Sequence, residues 1–436
     1  MILQSTRSTP PAPAASHAIA GTDLVYDDDD VSNDGRLAFM VSVENQKQLD
    51  ALRRQLGKDK STHIVGSLSP VPGLIAEVPV AQASDFVHGL PKHTHVFVDT
   101  TIDFDDGDAA NVPGHSAKPH TSPWPVDVDR KVMGLDQVWK DGYTGQGVTV
   151  AVIDSGLVVG PDLKHAYKGF VDMEKGKKEP FDDFGHGTHI AGLIAGDGTR
   201  SHHRILGAAP DAGIVGVRIT TEDEAIAGLR WVMANKNKLG IRVVNMSLGE
   251  TATVPWQKDV WAQACEDAIK AGLIVVVAAG DEGPTAGTID TPGYDPNVIT
   301  VGALDDHHST DHAQHAVYDD SSRGPTLGGL HKPDVLAPGA LVWGPLVVGS
   351  KKDQADKPHI GSSYIALSGS SQSTALVSGL IADILQANPS LTQAQVLSIL
   401  RGTADPYLKD GPDAQGAGVV NGPAAIKAAL ALRQQS

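Results

Sequence analysis

The sequence has one cysteine, few aromatic residues and no excess of basic residues. Cys265 is the only cysteine among 436 residues, and aromatic residues make up 5%. A single cysteine excludes an intrachain disulfide, and we expect Cys265 to be buried and inert within a helix. The 35 Lys and Arg are outnumbered by 52 Asp and Glu, which gives a net charge of -17. An acidic protein repels nucleic acid and anionic membranes, so we expect neither as a partner.

The sequence also lacks a long hydrophobic run. It contains no stretch of about 18 apolar residues, so we expect no transmembrane helix. Residues 1–20 contain no continuous apolar segment and are not a signal peptide as written. We therefore expect the protein to stay in the cytoplasm, or to be secreted if the true N-terminus lies upstream. We also expect a monomer.

The first part of the chain divides into a tail, a small domain and a linker. Residues 1–34 are rich in Pro, Ala, Ser and Asp, which predicts a disordered N-terminal tail. Residues 35–105 show the order β-α-β-β-α-β, typical of a small ferredoxin-like α+β domain. Residues 106–128 are rich in Gly, Asp, His and Pro, which predicts a linker with a processing region.

Residues 129–436 have a different pattern, in which short apolar strands alternate with helical segments. The clearest strands are predicted at 148–153, 213–219, 242–246, 273–279 and 297–301. Solidly apolar strands joined by helices indicate a parallel β-sheet flanked by helices, an α/β fold. Active sites in such sheets lie at the carboxyl ends of the strands.

Three segments place reactive residue types at such positions. Asp154 ends an apolar strand, His186 stands between two glycines before a helix, and Ser371 precedes a long apolar helix. Each has an ordinary structural explanation: a turn former, a structural histidine and an N-cap. A nucleophile at Ser371 would also be favoured, because a helix N-terminus stabilises developing negative charge.

Together the three segments closely resemble the subtilase family of subtilisin-like serine peptidases (peptidase S8). The chain order Asp, His, Ser is the subtilisin order. Residues 244–249, 278–280 and 321–339 match further signatures of the family, and the resemblance covers about residues 129–425. Details at 169–173 and 291–295 are most similar to the AprX-type bacterial branch.

The resemblance implies a serine endopeptidase made as a zymogen. It implies that Ser371 attacks the scissile carbonyl, that His186 transfers the proton and that Asp154 orients and stabilises the imidazolium. It also implies that substrate is held as an added strand by Ser247, Leu248, Gly249, Ala278, Ala279 and Gly280. Residues 35–105 would be the propeptide, which assists folding and blocks the cleft until it is cut away.

The resemblance also implies the partners and cofactors. The partners are protein and peptide substrates and the chain's own propeptide domain. The chemistry requires no cofactor, and structural calcium is implied by the family alone. His307, His308, His312 and His315 lie among aspartates, which leaves a metal site or a solvated surface loop open; the loop is preferred, and no metal ligand is predicted.

The oxyanion hole departs from the family pattern. Asp281 stands where the family has Asn, whose amide would donate to the oxyanion beside the backbone N–H of Ser371. An ionised carboxylate only accepts hydrogen bonds. Asp281 could make the enzyme slow, could donate as a protonated acid, or could mark a protein that binds peptides without cutting them. We favour the protonated acid, which predicts activity shifted toward acid pH. The serine segment also departs, with Ala375 where the family has Pro.

Two other functions compete. A catalytically weak or silent subtilase that binds peptides is suggested by Asp281 and the altered serine segment. A nucleotide-binding α/β protein is suggested by the parallel sheet alone, but its first strand ends in the acidic Asp154 and no glycine-rich phosphate loop is present.

Overall fold

The computed structural model describes residues 17–104, apart from 21, 23, 27–29, 33, 69–71, 93 and 103, and residues 128–434 apart from 356. The chain forms two compact units. The first comprises Met1–Thr101 with Thr221–Asp223, and the second comprises Ile102–Thr220 and Glu224–Ser436. The predicted linker lies outside the described residues, except for Val128.

The first unit is a four-stranded antiparallel sheet with two helices. Its strands pair in the order β4-β5-β3-β6, the order of a ferredoxin-like domain. The elements are β1 His17–Ala18, β2 Val25–Tyr26, β3 Arg36–Ser42, α1 Gln46–Leu56, β4 His63–Gly66, β5 Gly73–Pro79, α2 Ala83–Gly89 and β6 His95–Val98.

Helix α1 shows why the sequence predicted this unit well. Its apolar positions Leu49, Leu52 and Leu56 are all buried, because they follow the helical period of three to four residues. The side chain of Asn45 accepts a hydrogen bond from the Gln48 backbone N–H and caps the helix. This helix confirms the first helix of the predicted β-α-β-β-α-β order.

The prediction that residues 1–34 form a disordered tail was wrong for part of that segment. Strands β1 and β2 pair antiparallel, with His17 opposite Tyr26. Ile19 is 4% exposed and belongs to the hydrophobic core of the first unit. A few apolar residues within a polar composition are enough to fix a short hairpin on an existing core.

The second unit is built on a mainly parallel sheet, as predicted. Its order is β13-β12-β11-β10-β7-β9-β8, with β14 also paired to β12, and only β13 is antiparallel to its neighbour. The strands are β7 Thr149–Asp154, β8 Tyr167–Asp172, β9 Gly213–Arg218, β10 Ile241–Met246, β11 Ile274–Ala278, β12 Ile299–Asp305, β13 Ala316–Val317 and β14 Val335–Pro338.

Helices and a second, small sheet complete this unit. Strands β15 Val342–Pro345, β16 His359–Ile360 and β17 Tyr364–Leu367 pair in the order β15-β17-β16. The helices are α3 Asp129–Val132, α4 Leu135–Lys140, α5 His186–Ala195, α6 Glu222–Leu239, α7 Val260–Lys270, α8 Lys351–Gln354, α9 Ser370–Ala387, α10 Gln393–Thr403, α11 Pro412–Gln415 and α12 Gly422–Arg433.

Helix α9 lies in the centre of the second unit. Each of its residues is buried except Gln386, which is partly buried. It contacts α5 and the strands β10, β11 and β12. A helix packed on all sides is held rigidly, so its first turn, which carries Ser371, has a fixed position relative to the sheet.

Two expectations about the chain concern burial and membranes. Cys265 is fully buried in α7, and burial raises the pKa of its thiol well above the usual value, which confirms the expectation of a buried thiol. Among the described residues, no helix combines the length and apolar character that a membrane span requires.

A carboxyl inside this core has no hydrogen-bond partner among the described residues. Asp383 in α9 is completely buried, and neither side-chain oxygen is paired. Burial raises the pKa of Asp383 well above its usual value, and the charge of Asp211 adds to the shift. The folded state therefore holds a proton that the unfolded state releases. Stability falls as the pH rises from the ordinary value of 3.8 toward the raised folded value.

We expect Asp383→Asn to remove part of this pH dependence. As the pH rises above the ordinary value of 3.8, the free energy of unfolding should fall less steeply, by up to about 1.4 kcal/mol per pH unit, because one titrating group is gone. Urea denaturation followed by circular dichroism measures the slope. Asp136→Asn, at a side chain that is 50% exposed, is the matched control and should keep the original slope. Equal slopes for the two variants would contradict the prediction.

Candidate active site

Asp154 and His186 meet at the carboxyl end of the central strand β7. Asp154 is the last residue of β7, and His186 is the first residue of α5. Asp154 Oδ1 lies 2.7 Å from His186 Nδ1, and the two residues are 0% and 1% exposed. Burial raises the pKa of Asp154, whereas the adjacent His186 ring opposes this shift. A buried carboxylate at Nδ1 fixes the imidazole so that Nε2 faces away from Asp154.

Asp182 and Ser155 hold this pair in place, and the sequence analysis did not identify either as a site residue. Asp182 Oδ1 accepts hydrogen bonds from Gly185 N (2.7 Å) and Ser155 Oγ (2.9 Å), while Oδ2 accepts from Thr188 N (2.8 Å). Ser155 Oγ in turn accepts from Gly187 N (2.9 Å). Asp182 therefore satisfies the free N–H groups at the start of α5. The aspartate four residues before His186 was the available signal.

Ser371 lies in the first turn of α9 and faces the end of β10. It is 7% exposed, and its Oγ donates a hydrogen bond to the Ser247 carbonyl (3.0 Å). Ser247 Oγ donates back to the Ser371 carbonyl (2.8 Å) and accepts from Asn245 Nδ2 (3.0 Å). Ser378, about two helical turns further along α9, donates a hydrogen bond to Asn245 Oδ1 (2.8 Å). This chain of hydrogen bonds fixes the position of Ser371 relative to the sheet.

A cavity of about 170 Å³ opens beside Ser371. Five of the six predicted substrate-binding residues line it: Ser247, Leu248, Gly249, Ala278 and Gly280. Ala279 does not, because it is fully buried and its backbone is engaged with Val301 and Asp290. The carboxyl ends of β10 and β11 thus form two facing walls of the cavity, and the hydroxyl of Ser371 lies between them.

Asp281 lies against the start of α9. Its Oδ1 accepts a hydrogen bond from the Ser370 backbone N–H (2.7 Å). Its Oδ2 approaches Gly369, where an added Cβ would lie 2.6 Å from that oxygen. Gly369 therefore has to be a glycine, and it also has φ of 148°. One oxygen of Asp281 is thus used by the helix, directly before the nucleophile position.

Three further acids line the same cavity, and the sequence analysis missed them. Glu250 follows the β10 segment, Glu282 follows Asp281, and Asp290 comes from the loop after β11. Asp290 is 6% exposed. Burial raises the pKa of Asp290 well above its usual value, and the charges of Glu282 and Glu250 add to the shift. Asp290 gave no signal, because a loop brings it to the cavity, whereas the available signal for Glu250 and Glu282 was their position directly after the predicted site residues Gly249 and Asp281.

Phe104 occupies the site from the N-terminal side of the second unit. Its ring centroid lies 5.8 Å from that of His186 and 5.4 Å from that of Phe184, and the residue is 6% exposed. Phe104 also lines the cavity beside Ser371. Two residues earlier, the Ile102 N–H donates to the Thr220 carbonyl (2.9 Å).

The four histidines near residue 310 do not converge on one point. His315 is 8% exposed, and its ring nitrogens contact the Tyr407 hydroxyl (2.6 Å) and the Ser309 carbonyl (2.8 Å). His312 stacks on Tyr407 at 4.0 Å. His315 is thus an exception within the expected surface loop, since a tyrosine that is distant in sequence covers it, whereas His307 and His312 are exposed.

Among the residues that the structure describes, one group of side chains could hold a metal ion. Ligand atoms of Asp129, Asp306 and His308 lie within 4.8 Å of one another. Asp306 Oδ2 is buried and has no partner among the described residues. Calcium takes about six to eight oxygen ligands, and a set of two carboxylates and one imidazole does not match it. Calcium therefore stays an expectation from the family, without support from these residues.

Comparison with known proteins agrees with this geometry. A model of the subtilase family matches residues 145–422. The chain is 40% identical over 310 residues to "Serine protease AprX" of Bacillus subtilis (strain 168), which covers 68% of this chain and 70% of that protein. It is 32% identical over 292 residues to "Subtilisin Savinase" of Lederbergia lenta, covering 66% of this chain and 93% of the relative. It is 34% identical over 274 residues to "Subtilisin E" of Bacillus subtilis (strain 168), covering 60% and 62%. The chain therefore belongs to the subtilase family (peptidase S8) and is a subtilisin-like serine endopeptidase.

Proposed function

We propose that the chain hydrolyses peptide bonds through a triad of Asp154, His186 and Ser371, and that it is made as a zymogen. The observation that carries the triad is the 2.7 Å contact between the buried Asp154 and His186, together with Phe104, which lies 5.8 Å from the His186 ring and also lines the cavity beside Ser371. No cofactor takes part, since the nucleophile, the base and the orienting carboxylate are all side chains.

Each member of the triad has one task. His186 Nε2 accepts the proton of Ser371 Oγ as that oxygen attacks the scissile carbonyl, and the serine becomes acylated. His186 then gives this proton to the leaving amine. Water attacks the acyl-enzyme with the same base, which releases the second product and restores Ser371. Asp154 stabilises the imidazolium that forms in both steps.

The strand ends on either side of Ser371 would hold the substrate backbone. Residues 247–249 follow β10, Ala278 ends β11 and Gly280 comes two residues later, so the peptide groups of these residues border the cavity. An extended peptide placed between them would gain main-chain hydrogen bonds without regard to sequence. The developing oxyanion would lie near the Ser371 N–H and Asp281, at the start of α9.

The zymogen proposal rests on residues that precede the linker. Phe104 packs against His186 and lines the cavity, so a substrate side chain could not enter this space while Phe104 is there. Cleavage after the first domain and departure of this segment would open the site. Residues 35–105 would then act as the propeptide, and the cut would fall in the predicted linker.

The second candidate function is a catalytically weak or silent subtilase that binds peptides or proteins. Asp281 favours it, because a carboxylate at the start of α9 places negative charge where the reaction develops negative charge. Against it, Asp154, His186 and Ser371 are all present and the first two are in contact.

Covalent labelling of the serine separates the two functions. We expect a fluorophosphonate to add once to the activated chain, on the peptide that contains Ser371, because only a serine paired with a base reacts readily. Mass spectrometry of the digested protein identifies the labelled residue. His186→Ala should abolish the label, whereas His331→Ala, at an exposed histidine, should keep it. A chain that is never labelled at Ser371 would make the silent, peptide-binding function the leading one.

A further inference from the structure

The cavity beside Ser371 is lined by more acidic side chains than the binding of a peptide backbone requires. Besides the neutral wall residues, four carboxyl side chains line it: Glu250, Asp281, Glu282 and Asp290. None of the described residues that line it is a lysine or an arginine. The cavity is already a substrate site because it adjoins the nucleophile. Its acids therefore bear on which side chain can fill it.

Asp290 and Glu282 come together within this cavity. A Cβ on Gly280 would meet both Asp290 Oδ2 and Glu282 Oε2, so the two carboxyls lie close to each other, and Glu282 Oε2 accepts a hydrogen bond from Ser322 Oγ (2.7 Å). Asp290 is 6% exposed, whereas Glu282 is exposed, so the pair extends from solvent into the interior. Two carboxyls in contact cannot both ionise easily unless a cation accompanies them.

Two glycines make the room for this acid pair. A Cβ on Gly280 would lie 2.4 Å from Asp290 Oδ2 and 2.6 Å from Glu282 Oε2. A Cβ on Gly249 would lie 2.8 Å from the Cβ of Asp290. Any side chain at either position would displace the carboxyls from the cavity. The walls of the site therefore admit the two acids to the space beside Ser371.

The chemistry of the occupant follows from this surface. An apolar side chain would bury the acid pair without replacing its hydrogen bonds, which is unfavourable. An acidic side chain would be repelled. A guanidinium or ammonium group would donate several hydrogen bonds to the carboxyls and supply the missing positive charge.

We propose that this cavity binds the side chain of the residue whose carbonyl is attacked, and that Asp290 and Glu282 select arginine or lysine there. This proposal rests on the proposed function of Ser371 as the nucleophile. The substrates it assigns are unfolded segments of proteins that carry basic residues, cut on the carboxyl side of those residues. Asp290, at the buried end, is the main specificity-determining residue.

The test compares matched peptide anilides that differ only in the residue before the cut bond: Arg, Lys, Leu, Phe or Glu. The activated chain should show the highest kcat/KM for Arg and Lys. Asp290→Asn and Glu282→Gln should each lower kcat/KM for Arg by about 10- to 100-fold, since a hydrogen bond to a charged group contributes about 1.5–3 kcal/mol. Both variants should raise the relative rate on Leu. Benzamidine, a small cation, should inhibit the original chain competitively and the variants more weakly.

Control variants separate the outcomes. Glu179→Gln, at an exposed acid that does not line the cavity, should keep the Arg preference. Fluorophosphonate labelling of Ser371 reports whether each variant retains a folded active site. Normal labelling together with a preference for Leu or Phe in the original chain would overturn the specificity proposal alone. Likewise, an Arg-to-Leu ratio unchanged by both substitutions would overturn it. Loss of both labelling and hydrolysis in the original chain would overturn the proposed function, and the specificity proposal with it.

Discussion

Replacement of Ser371 by alanine is expected to lower kcat for casein hydrolysis by about 10⁴- to 10⁶-fold. The upper figure is the loss that removal of the nucleophile causes in a subtilisin. The lower figure applies if Asp281 already slows the original enzyme. Alanine leaves the backbone N–H groups at the start of α9 and the cavity in place, so the variant should still bind peptides. It should also remain full length, because self-processing needs the same nucleophile.

A neighbouring serine provides the control for this experiment. Ser370 precedes the nucleophile and is fully buried, and its Oγ accepts a hydrogen bond from Gly280 N (3.2 Å). Ser370→Ala removes one such bond and should change kcat by less than about 10-fold. Casein hydrolysis and the chain length on a gel are followed for both variants. If activity survives in Ser371→Ala and disappears in Ser370→Ala, the nucleophile is Ser370 and the assignment to Ser371 is wrong.

The order of elements and the positions of Asp154, His186 and Ser371 were predictable because they depend on local patterns. A buried strand is a run of apolar residues, and α1 follows the helical period with Leu49, Leu52 and Leu56. Strand β8 was not predicted, because its sequence mixes apolar with charged residues and none of its first five residues is fully buried. Helix α9 already contains Ser370 and Ser371, although Ser371 was expected to precede the helix, since buried serines do not resemble a hydrophobic helix face.

The acid pair of the cavity could not be predicted for a different reason. Asp290 reaches the cavity through a loop, and its neighbour Glu282 is adjacent to it only in space. Asp182 is close to His186 in sequence, but its hydrogen bonds to Ser155 and Thr188, which join the end of β7 to the start of α5, exist only in the folded chain. Single residues whose effect depends on long-range packing leave no periodic signal in a sequence.

The contacts of Asp281 give the protonated-acid hypothesis a specific form. Oδ1 accepts from the Ser370 N–H (2.7 Å). If Oδ2 carries a proton, it can donate to the oxyanion while Oδ1 remains bound to the helix. The acid neighbours Asp290, Glu282 and Glu250 in the same cavity disfavour another negative charge. As the pH rises and Asp281 loses its proton, this donor is lost and the rate falls.

Asp281→Asn is therefore expected to raise kcat at neutral and alkaline pH by about 10²- to 10³-fold, the contribution of one oxyanion donor in a subtilisin. Asparagine keeps the acceptor for the Ser370 N–H through its carbonyl oxygen and places a permanent N–H donor at the other position. The original chain should show a bell-shaped pH profile, which rises as His186 becomes neutral and falls as Asp281 ionises. The variant should keep only the rise, so the ratio of the two rates grows with pH.

Hydrolysis of the arginyl anilide from pH 4 to 10 measures both profiles, and Asp281→Ala serves as the control. Alanine provides neither the acceptor nor the donor, so it should be slow at every pH. If Asp281→Asn and the original chain share one pH profile, protonation of Asp281 takes no part in catalysis. An Asn variant that is faster by the same factor at all pH values would mean that the carboxylate is ionised throughout. The original enzyme would then rely on the Ser371 N–H alone to stabilise the oxyanion.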